Sequence, residues 1–346
     1  MGKHTSKVDS FPNDTLIRNW KIVKKLGVGS FGAVYQVRDI NTNTSVEYAM
    51  KIEAAEKEEE SMLKMEIAVL KAFKNSTTPN SHVCNYIDSG MTTTARYVVM
   101  KLVGPNLADV RKNCPRNRFT ESTTIRLGIQ CIRSIEELHR VGFIHRDIKP
   151  ANYAIGMGPI ERRNVYLLDY GLSRQYVDRN GALRPPRRRV GFRGTVRYAS
   201  PNAHMKRDLG RHDDLWSLLY MLIEVQQDKL PWKKSGDKHF VGEMKKRIVA
   251  DELLQGMAKE FHPILNELQG LQFLDAPNYD WFCDLLQTAM LRLHYEFEAP
   301  YDWEAGGVAY EKLKPIHLYN PFLKNGNEAK YGKKEVEEEE LSRLSV

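Results

Sequence analysis

The chain has 346 residues, of which 42% are hydrophobic and 28% are charged, so it can bury one large core or two lobes. No stretch approaches the ~20 consecutive apolar residues that a membrane-spanning helix requires. The first ten residues also lack the apolar segment of a secretory signal. These features argue against a membrane-embedded or secreted protein, and we expect a cytoplasmic or nuclear one.

The four cysteines are scattered along the chain and form no C-x-x-C pair. Neither a zinc site nor a disulfide framework is predicted from this spacing. The net charge of +8 is concentrated in one segment, because the region between Asp169 and Pro201 alone carries +6. A nucleic-acid partner is not predicted, since no zinc, RNP-like or recognition-helix pattern accompanies these arginines.

The pattern of elements predicts an α+β fold with two lobes. From residue 16 to about 101, short β-like runs surround one helical stretch from Ser61 to Phe73, which predicts a small β-rich lobe. From about 102 to 304 the chain is mainly helical, and the stretch from Thr123 to Val141 repeats isoleucine and leucine at spacings of three and four. Residues 1–15 and 305–346 are polar or highly charged, and we expect a flexible N-terminal tail and a C-terminal extension with a disordered end.

A glycine-rich segment lies near the start of the small lobe and is a candidate for binding phosphate through backbone N–H groups. The pattern alone also fits a simple turn or a dinucleotide-binding unit. A helix should follow the third glycine in a dinucleotide unit, whereas a β-branched and aromatic run follows it here, which favours a hairpin over ATP. The candidate nucleotide-binding residues are Leu26, Gly27, Gly29, Gly32, Val34 and Lys51.

Lys51 stands among apolar residues in a predicted strand, where an unpaired ammonium group is costly to bury. Glu66 in the following helix is its expected partner, and together they are candidates for holding the α- and β-phosphates of ATP. An ordinary surface ion pair is the alternative.

The most specific pattern runs from His145 to Asn152 and matches H-R-D-x-x-x-x-N over its full length. Asp147 is the candidate base that orients the attacking hydroxyl, and Asn152 is a candidate Mg²⁺ ligand. Asp169, at the end of a predicted strand, is the second candidate ligand. Tyr170 follows it where D-F-G has phenylalanine, so its hydroxyl needs a partner and can alter the balance of loop positions.

With these elements in order, the chain resembles a eukaryotic protein kinase from about Thr15 to Glu304. The resemblance implies the bilobal kinase fold, with ATP and Mg²⁺ as cofactors and protein hydroxyls as acceptors. Lys149, two residues after Asp147, resembles the lysine of serine/threonine kinases that contacts the transferred phosphate. A pseudokinase that binds partners without phosphotransfer is the alternative, and only Tyr170 supports it.

The segment after Asp169 lacks Ala-Pro-Glu and has Gly-Thr-Val-Arg-Tyr-Ala-Ser from Gly194 to Ser200. This segment resembles the casein-kinase-one superfamily, and the stretch from Gly210 to Leu218 looks most like the tau-tubulin kinases. The family often favours acidic or phosphorylated sites, so an arginine group is a candidate for reading such residues, the alternative being a solvated loop face. Its members are Arg184, Arg187, Arg188, Arg189, Arg193 and Arg197. No lysine was evident after Trp232 to complete an anion site of the casein-kinase-one type.

Three further residues have a predicted role and an ordinary alternative. By family resemblance Asp214 braces the catalytic loop, or it caps a helix. Met100 resembles a gatekeeper at the adenine pocket near a hinge at residues 101–103, or it is a core residue. Gly2 fits the M-G-x-x-x-[ST] pattern for N-myristoylation, which also arises by chance. A monomer is expected.

Overall fold

The computed structural model describes residues 11–29, 32–55 and 61–317. The strands are β1 (Leu16–Ile17), β2 (Trp20–Gly29), β3 (Gly32–Asp39), β4 (Glu47–Ala54), β5 (Tyr86–Met91), β6 (Ala95–Lys101), β7 (Phe143–Ile144), β8 (Tyr153–Ile155), β9 (Val165–Leu167) and β10 (Arg174–Gln175). The helices are α1 (Met62–Lys74), α2 (Leu107–Lys112), α3 (Glu121–Arg140), α4 (Gly158–Glu161), α5 (Pro201–His204), α6 (Arg211–Gln227), α7 (Lys238–Arg247), α8 (Ala250–Leu253), α9 (Phe261–Gly270), α10 (Tyr279–Arg292) and α11 (Tyr310–His317).

The small lobe is an antiparallel sheet with the strand order β1-β2-β3-β4-β6-β5 among the described residues. Its apolar residues form a core of their own on one face, which includes Ile22, Tyr35 and Met50. In β4 Lys51 lies beside Val34 of β3 and Val98 of β6. Because side chains alternate across a strand, Lys51 points to the face opposite Met50, and this face is covered by α1.

Helix α1 begins where Ser61 accepts a hydrogen bond from the N–H of Lys64, the side-chain cap that serine commonly provides. Its buried residues, Leu63, Glu66, Val69, Leu70 and Phe73, recur at spacings of three and four and face the sheet. Glu66 is therefore the one carboxylate on an otherwise apolar buried stripe. Its position on the helix brings it to Lys51.

The large lobe packs around α3 and α6. Helix α6 is buried on nearly all sides, whereas α3 buries a stripe and packs on α6 and α10. Gly128 lets the helices approach closely, because a Cβ atom there would lie 2.8 Å from Leu286 and 3.2 Å from Leu222. The predicted α+β bilobal fold, with its β-rich small lobe and helical large lobe, is confirmed.

The described structure continues beyond residue 304, the end predicted for the kinase-like region. Helix α11 follows, and its Leu313 is fully buried in the main core. The four cysteines are buried and carry free thiols. Among the described residues, none of the helices has the length and apolar character needed to cross a bilayer. Gly2 and the acidic run near the C-terminus lie outside the described residues.

Candidate active site

The glycine-rich segment forms the β2–β3 hairpin, and its tip at residues 30–31 lies outside the described residues. Gly27 pairs with Val34, and Gly29 pairs with Gly32. At Gly32 φ is +153°, and a Cβ atom would lie 2.0 Å from the carbonyl oxygen of Ile52, so only glycine fits there. Leu26 stays exposed on this hairpin. The six predicted nucleotide-binding residues thus share one hairpin and the strand beside it.

Lys51 connects the two lobes through two carboxylates. Its Nζ lies 2.6 Å from Glu66 Oε2 and 2.8 Å from Asp169 Oδ1. Burial alone would lower the pKa of Lys51, but the attraction of Glu66 and Asp169 outweighs it and raises that pKa. For Asp169, burial would raise the pKa, and the charge of Lys51 lowers it instead. The site therefore holds a fixed ammonium and an ionised Asp169.

The catalytic loop is braced from α6. Asp214, which is 1% exposed, accepts the backbone N–H groups of His145 at 2.7 Å and Arg146 at 2.8 Å. It also lies 2.8 Å from His139 Nε2. Burial would raise the pKa of Asp214, but these hydrogen bonds, that of His139 first, lower it. The predicted bracing role of Asp214 is confirmed.

The alternative that Asp214 caps a helix is wrong. Gly210 is the N-cap residue of α6, and its backbone N–H donates a hydrogen bond to Asp213 Oδ2 at 2.7 Å. Asp213, one residue earlier, therefore closes the helix end and leaves Asp214 to turn toward the catalytic loop.

Asp147, Lys149 and Asn152 converge at the end of this loop. Lys149 Nζ lies 2.5 Å from Asp147 Oδ2, and Asn152 Nδ2 donates to the carbonyl oxygen of Asp147 at 2.9 Å. Thr195 donates from Oγ1 to Asp147 Oδ1 at 2.7 Å and lies 3.4 Å from Lys149 Nζ. The carboxylate of Asp147 is thereby held in one orientation. Thr195 belongs to this cluster, and sequence reasoning missed it.

Asp169 and Tyr170 form the turn after β9. Asp169 has φ +63°, a left-handed conformation that aspartate tolerates better than bulky residues. Tyr170 is buried between Phe73 and His145, and its hydroxyl donates to the carbonyl oxygen of Leu167 at 2.8 Å. The Tyr170 hydroxyl, which a phenylalanine at this position would lack, thus has a hydrogen-bond partner inside the protein. It has this partner in the same arrangement in which Asp169 faces Lys51.

The donor set at the predicted metal position suits Mg²⁺. Mg²⁺ prefers oxygen ligands and often takes only one or two from the protein, with water and phosphate supplying the others. Asp169 offers a carboxylate, and Asn152 uses its amide nitrogen toward Asp147, which leaves its Oδ1 as the acceptor. Within the described ranges no group of three histidine, cysteine or acidic residues could hold a metal by itself.

The predicted arginine group divides into two sets. Arg184 donates to the carbonyl oxygen of Val177, Arg187 is paired with Asp208 at 2.9 Å, and Arg197 is paired with Glu224 at 3.0 Å. These three are anchored within the protein. The exposed set has no hydrogen bond or ion pair in the described part of the chain, and its members are Arg188, Arg189 and Arg193.

Arg146 lies close to this segment. Its guanidinium donates only to backbone carbonyls, those of Leu172 and Ser173. Burial and then the nearby charges of Arg187 and Arg193 lower the pKa of Arg146 to about 10. The region therefore concentrates positive charge that the nearby carboxylates of Asp208 and Asp214 offset only in part.

Lys245 of α7 contacts the backbone of the segment that contains Val196 and Ala199. Sequence reasoning missed this residue. It is 5% exposed, and its Nζ donates to the carbonyl oxygens of Val196 at 3.0 Å and Ala199 at 2.6 Å. Burial lowers the pKa of Lys245 well below its usual value. Its position after Trp232, where the resemblance to the casein-kinase-one superfamily implies a lysine, is the one signal for it in the sequence.

Met100 lies in β6 directly before the connection between the lobes. It is buried and packs in the main core with Ala49 and Leu107. The connection is fixed by Lys101, whose Nζ lies 2.7 Å from Glu161, and by Gly104, whose N–H donates to Ile155. Both predicted readings of Met100, gatekeeper and core residue, agree with this position.

Comparison with known proteins identifies the family. The protein kinase domain model matches residues 20–277. A probable serine/threonine-protein kinase of Dictyostelium discoideum is 39% identical over 85% of this chain and 58% of its own length. The Caenorhabditis elegans serine/threonine-protein kinase spe-6 is 36% identical over 82% of this chain and 75% of its own length.

A putative casein kinase I of Caenorhabditis elegans is also similar, at 30% identity over 88% of this chain and 89% of its own length. The chain spans little more than half the length of the Dictyostelium relative. The family model covers well over half of this chain, and the relatives share the serine/threonine class. The chain therefore belongs to the protein kinase family and is a relative of its serine/threonine-specific members.

Proposed function

We propose that this serine/threonine protein kinase transfers the γ-phosphate of ATP to protein hydroxyls and favours acceptors flanked by acidic or phosphorylated residues. The observation that carries the proposal is the double ion pair of Lys51, which joins Glu66 of the small lobe to Asp169 of the large lobe. In this proposal Lys51 faces the phosphates and Asp169 faces the metal, and the double ion pair supports both roles because it brings the two residues together.

In the proposed mechanism the chain's own residues bind, orient and accept a proton. The β2–β3 hairpin and Lys51 hold the phosphates, while Asn152 and Asp169 would hold Mg²⁺, which would neutralise charge on the phosphate oxygens. Asp147 orients the acceptor hydroxyl and takes its proton as the oxygen attacks the γ-phosphorus in line, and the bond from that phosphorus to the β–γ bridging oxygen breaks, so that ADP leaves. Lys149 stays beside Asp147, where its charge stabilises the transferred phosphate.

The finer family assignment also belongs to this proposal. The segment from Gly194 to Ser200 resembles the casein-kinase-one superfamily, and the stretch from Gly210 to Leu218 resembles the tau-tubulin kinases within it. The similar putative casein kinase I supports this placement. We also propose that the protein acts as a monomer in the cytoplasm or nucleus. Acylation of Gly2 is tested by mass spectrometry of the native N-terminus.

The first experiment measures Mg²⁺-dependent transfer of labelled phosphate to casein and to a pre-phosphorylated acidic peptide. Asp147→Asn should lower kcat by about 10²–10⁴-fold, because the acceptor hydroxyl loses its base. Asp275→Asn, an exposed aspartate in a loop of the large lobe, is the control and should leave kcat unchanged. A folded wild type that binds ATP but transfers no phosphate would contradict the proposal.

The substrate preference is tested separately with the exposed arginines. Arg189→Glu/Arg193→Glu should raise the KM of the phosphorylated peptide by about tenfold more than the KM of its unphosphorylated form. Arg189→Glu alone is compared with Arg179→Glu, an exposed arginine of the same segment with the same change of charge. Equal changes for both peptides would remove the proposed role in reading phosphate.

A further inference from the structure

A cleft of about 740 Å³ lies in the large lobe, away from the catalytic cluster. Its walls come from α5, α7 and the chain that follows α9, and Arg187 and Arg188 of the arginine-rich segment close one side. Asp147, Lys149, Asp169 and Thr195 do not line it. We refer to it as the α5–α7 cleft.

The α5–α7 cleft is lined by an excess of cations whose charge is not neutralised by the protein. Its two carboxylates are already paired, Asp208 with Arg174 and Arg187, and Glu243 with Arg247. Four exposed cations on its walls have no ion pair or hydrogen bond from their side chains within the described residues, namely Arg188, Lys206, Arg207 and Lys246. Like charges this concentrated repel each other and attract an anionic partner.

A second observation points to a ligand in the same place. His212 lines the cleft and is 2% exposed, yet its Nδ1 has no hydrogen-bond partner. Buried polar atoms are rarely left in this state. Lys245 also lines the cleft, but its Nζ is satisfied by the carbonyl oxygens of Val196 and Ala199 and by Nε2 of His204. Among the described residues that line the cleft, the buried side-chain atom without a partner is therefore Nδ1 of His212.

The chemistry of the walls favours an acidic polypeptide over other polyanions. Proteins that bind single-stranded nucleic acid present exposed aromatic rings for stacking. The cleft is lined by one tryptophan, Trp216, and one phenylalanine, Phe273. Trp216 is buried and Phe273 is half-buried, so neither presents a fully exposed ring. A concave wall also suits a chain that enters it better than a flat lipid surface. Met205, 46% exposed, adds an apolar contact at the rim.

The cleft is joined to the acceptor site by a short chain of contacts. Thr195 is bonded to Asp147, and the carbonyl oxygens of Val196 and Ala199, next along the segment, are bonded to Lys245 of the cleft. One short segment, residues 195–199, therefore contacts both the catalytic aspartate and a lysine that lines the cleft.

We propose that the α5–α7 cleft is a docking site for an acidic segment of the protein substrate, distinct from the site that holds the acceptor serine or threonine. The inference rests on the proposed kinase function for the identity of the partner. Docking of this kind raises the effective concentration of the acceptor at the catalytic residues. It makes substrate choice depend on a segment remote from the phosphorylated residue.

Direct binding tests the cleft without any phosphotransfer. The probe is a fluorescent peptide with a run of about eight glutamates and no serine or threonine, and its anisotropy is measured with the full chain. Lys206→Glu/Lys246→Glu should weaken binding by about tenfold or more. The matched control is Arg116→Glu/Lys259→Glu, which makes the same charge change at exposed residues outside the cleft.

This control is also matched in backbone, since φ is +55° at Lys206 and +56° at Arg116. The control should change the dissociation constant by less than about twofold. Absence of binding to the wild type, or equal weakening in both double variants, would overturn the proposal. Thermal unfolding of each variant establishes that it is folded.

Kinetics then separate docking from catalysis. Two substrates share one acceptor sequence and a flexible Gly/Ser linker of about ten residues, followed by glutamates in one and glutamines in the other. The glutamate tail should lower KM by about tenfold, and Lys206→Glu/Lys246→Glu should abolish this gain while kcat stays unchanged. A KM equal for both tails would overturn docking.

Failure of the kinase proposal gives a different result. In that case neither substrate is phosphorylated, although the glutamate probe still binds in a cleft-dependent manner.

Other occupants are distinguished with the same variants. Cleft-dependent binding of an RNA oligonucleotide or of phosphatidylserine vesicles, without binding of the glutamate probe, would overturn the proposal. A phosphoserine peptide in place of glutamates tells whether carboxylates or phosphates bind better. If the probe binds only after Glu337–Glu340 are changed to glutamine, the occupant is the chain's own acidic run and the proposal is again overturned.

Discussion

The catalytic cluster and the α5–α7 cleft handle positive charge in opposite ways. Around Lys51, carboxylates of Glu66 and Asp169 lie within 2.8 Å of the ammonium group, and Lys149 lies against Asp147. Around Lys245 the partners are two backbone carbonyl oxygens and Nε2 of His204, and the two carboxylates that line the cleft are paired with other arginines. The first region therefore carries its counter-charges itself, whereas the second depends on backbone dipoles and on whatever binds there.

This contrast shows whether the side chains of each region are held in position by the protein itself or by a bound ligand. A paired and hydrogen-bonded group is held before a ligand arrives, which suits transfer chemistry that relies on positioning. A region with unneutralised charge gains most when an anion binds, which suits recognition of a variable partner.

Replacing the central lysine of the catalytic cluster should have the largest effect. Lys51→Met leaves Glu66 and Asp169 without their shared cation and removes the charge that faces the phosphates. We expect kcat/KM to fall by about 10²–10³-fold, as on loss of a positioned electrostatic contact. The measurement is steady-state phosphorylation of casein.

Arg38→Met is the control for Lys51→Met. Arg38 is also a strand cation paired with a largely buried carboxylate, that of Glu47 at 2.8 Å, and it has no predicted role in catalysis. It should change kcat/KM by less than about threefold. Equal losses in both variants would show that the small lobe merely unfolds when an ion pair is lost.

The brace from α6 should rank second. Asp214→Asn keeps one acceptor oxygen but turns an N–H₂ group toward backbone N–H donors, so one buried donor loses its partner. We expect a loss of about 1–3 kcal/mol in the free energy of unfolding. Displacement of the catalytic loop should also lower kcat by about 10–100-fold.

Asp213→Asn provides the comparison for that variant. Asp213 is equally buried but closes the start of α6 through Gly210. Loss of the cap should cost about 1 kcal/mol of stability with little change in kcat. Urea unfolding gives the stability of both variants, and initial rates of phosphorylation give their kcat. A similar loss of kcat in both would mean that the helix as a whole, and not Asp214, positions the loop.

Sequence patterns predicted the parts of the site that lie within continuous segments. Asp147 and Asn152 share one loop at a fixed spacing, and Asp169 directly follows a recognisable strand. The ion pair of Lys51 with Glu66 was also predicted, because one buried strand cation requires a partner and α1 offers one carboxylate on its apolar face. Such features can be read locally, or across a single pairing of neighbouring elements.

The missed features depend on contacts between distant segments. Arg197 meets Glu224, Arg187 meets Asp208 and Lys245 meets Val196, pairs that are 27, 21 and 49 residues apart. No periodicity links such residues, since their approach is decided by how the chain from α5 to α7 packs against the arginine-rich segment that follows Asp169. The prediction that all six arginines face a substrate treated them alike for this reason, although three of them are anchored.

Tyr170 should have a modest effect. Its buried hydroxyl is bonded to Leu167 in the arrangement that keeps Asp169 beside Lys51. Tyr170→Phe should therefore lower the free energy of unfolding by about 1 kcal/mol and reduce kcat only a few-fold. Tyr153→Phe, which removes another buried hydroxyl bonded to Ser134, is the control and should leave kcat unchanged. A gain in activity in Tyr170→Phe would instead show that the hydroxyl restrains the enzyme.

The smallest effect concerns Lys245 and is visible as a pH dependence. Burial lowers the pKa of Lys245 well below the ordinary value of 10.5, so between these two pKa values the unfolded chain binds more protons than the folded protein. Lys245 therefore contributes a rise of stability with pH across that window, and this contribution is lost as pH falls toward the lowered pKa. Lys245→Met should flatten the rise in urea unfolding between about pH 7.5 and 9.5, whereas Lys246→Met, exposed on the same helix, should preserve it. If the two variants follow the wild-type profile equally, Lys245 keeps its proton in the folded protein, and the contrast between the two regions would then rest on the exposed cations alone.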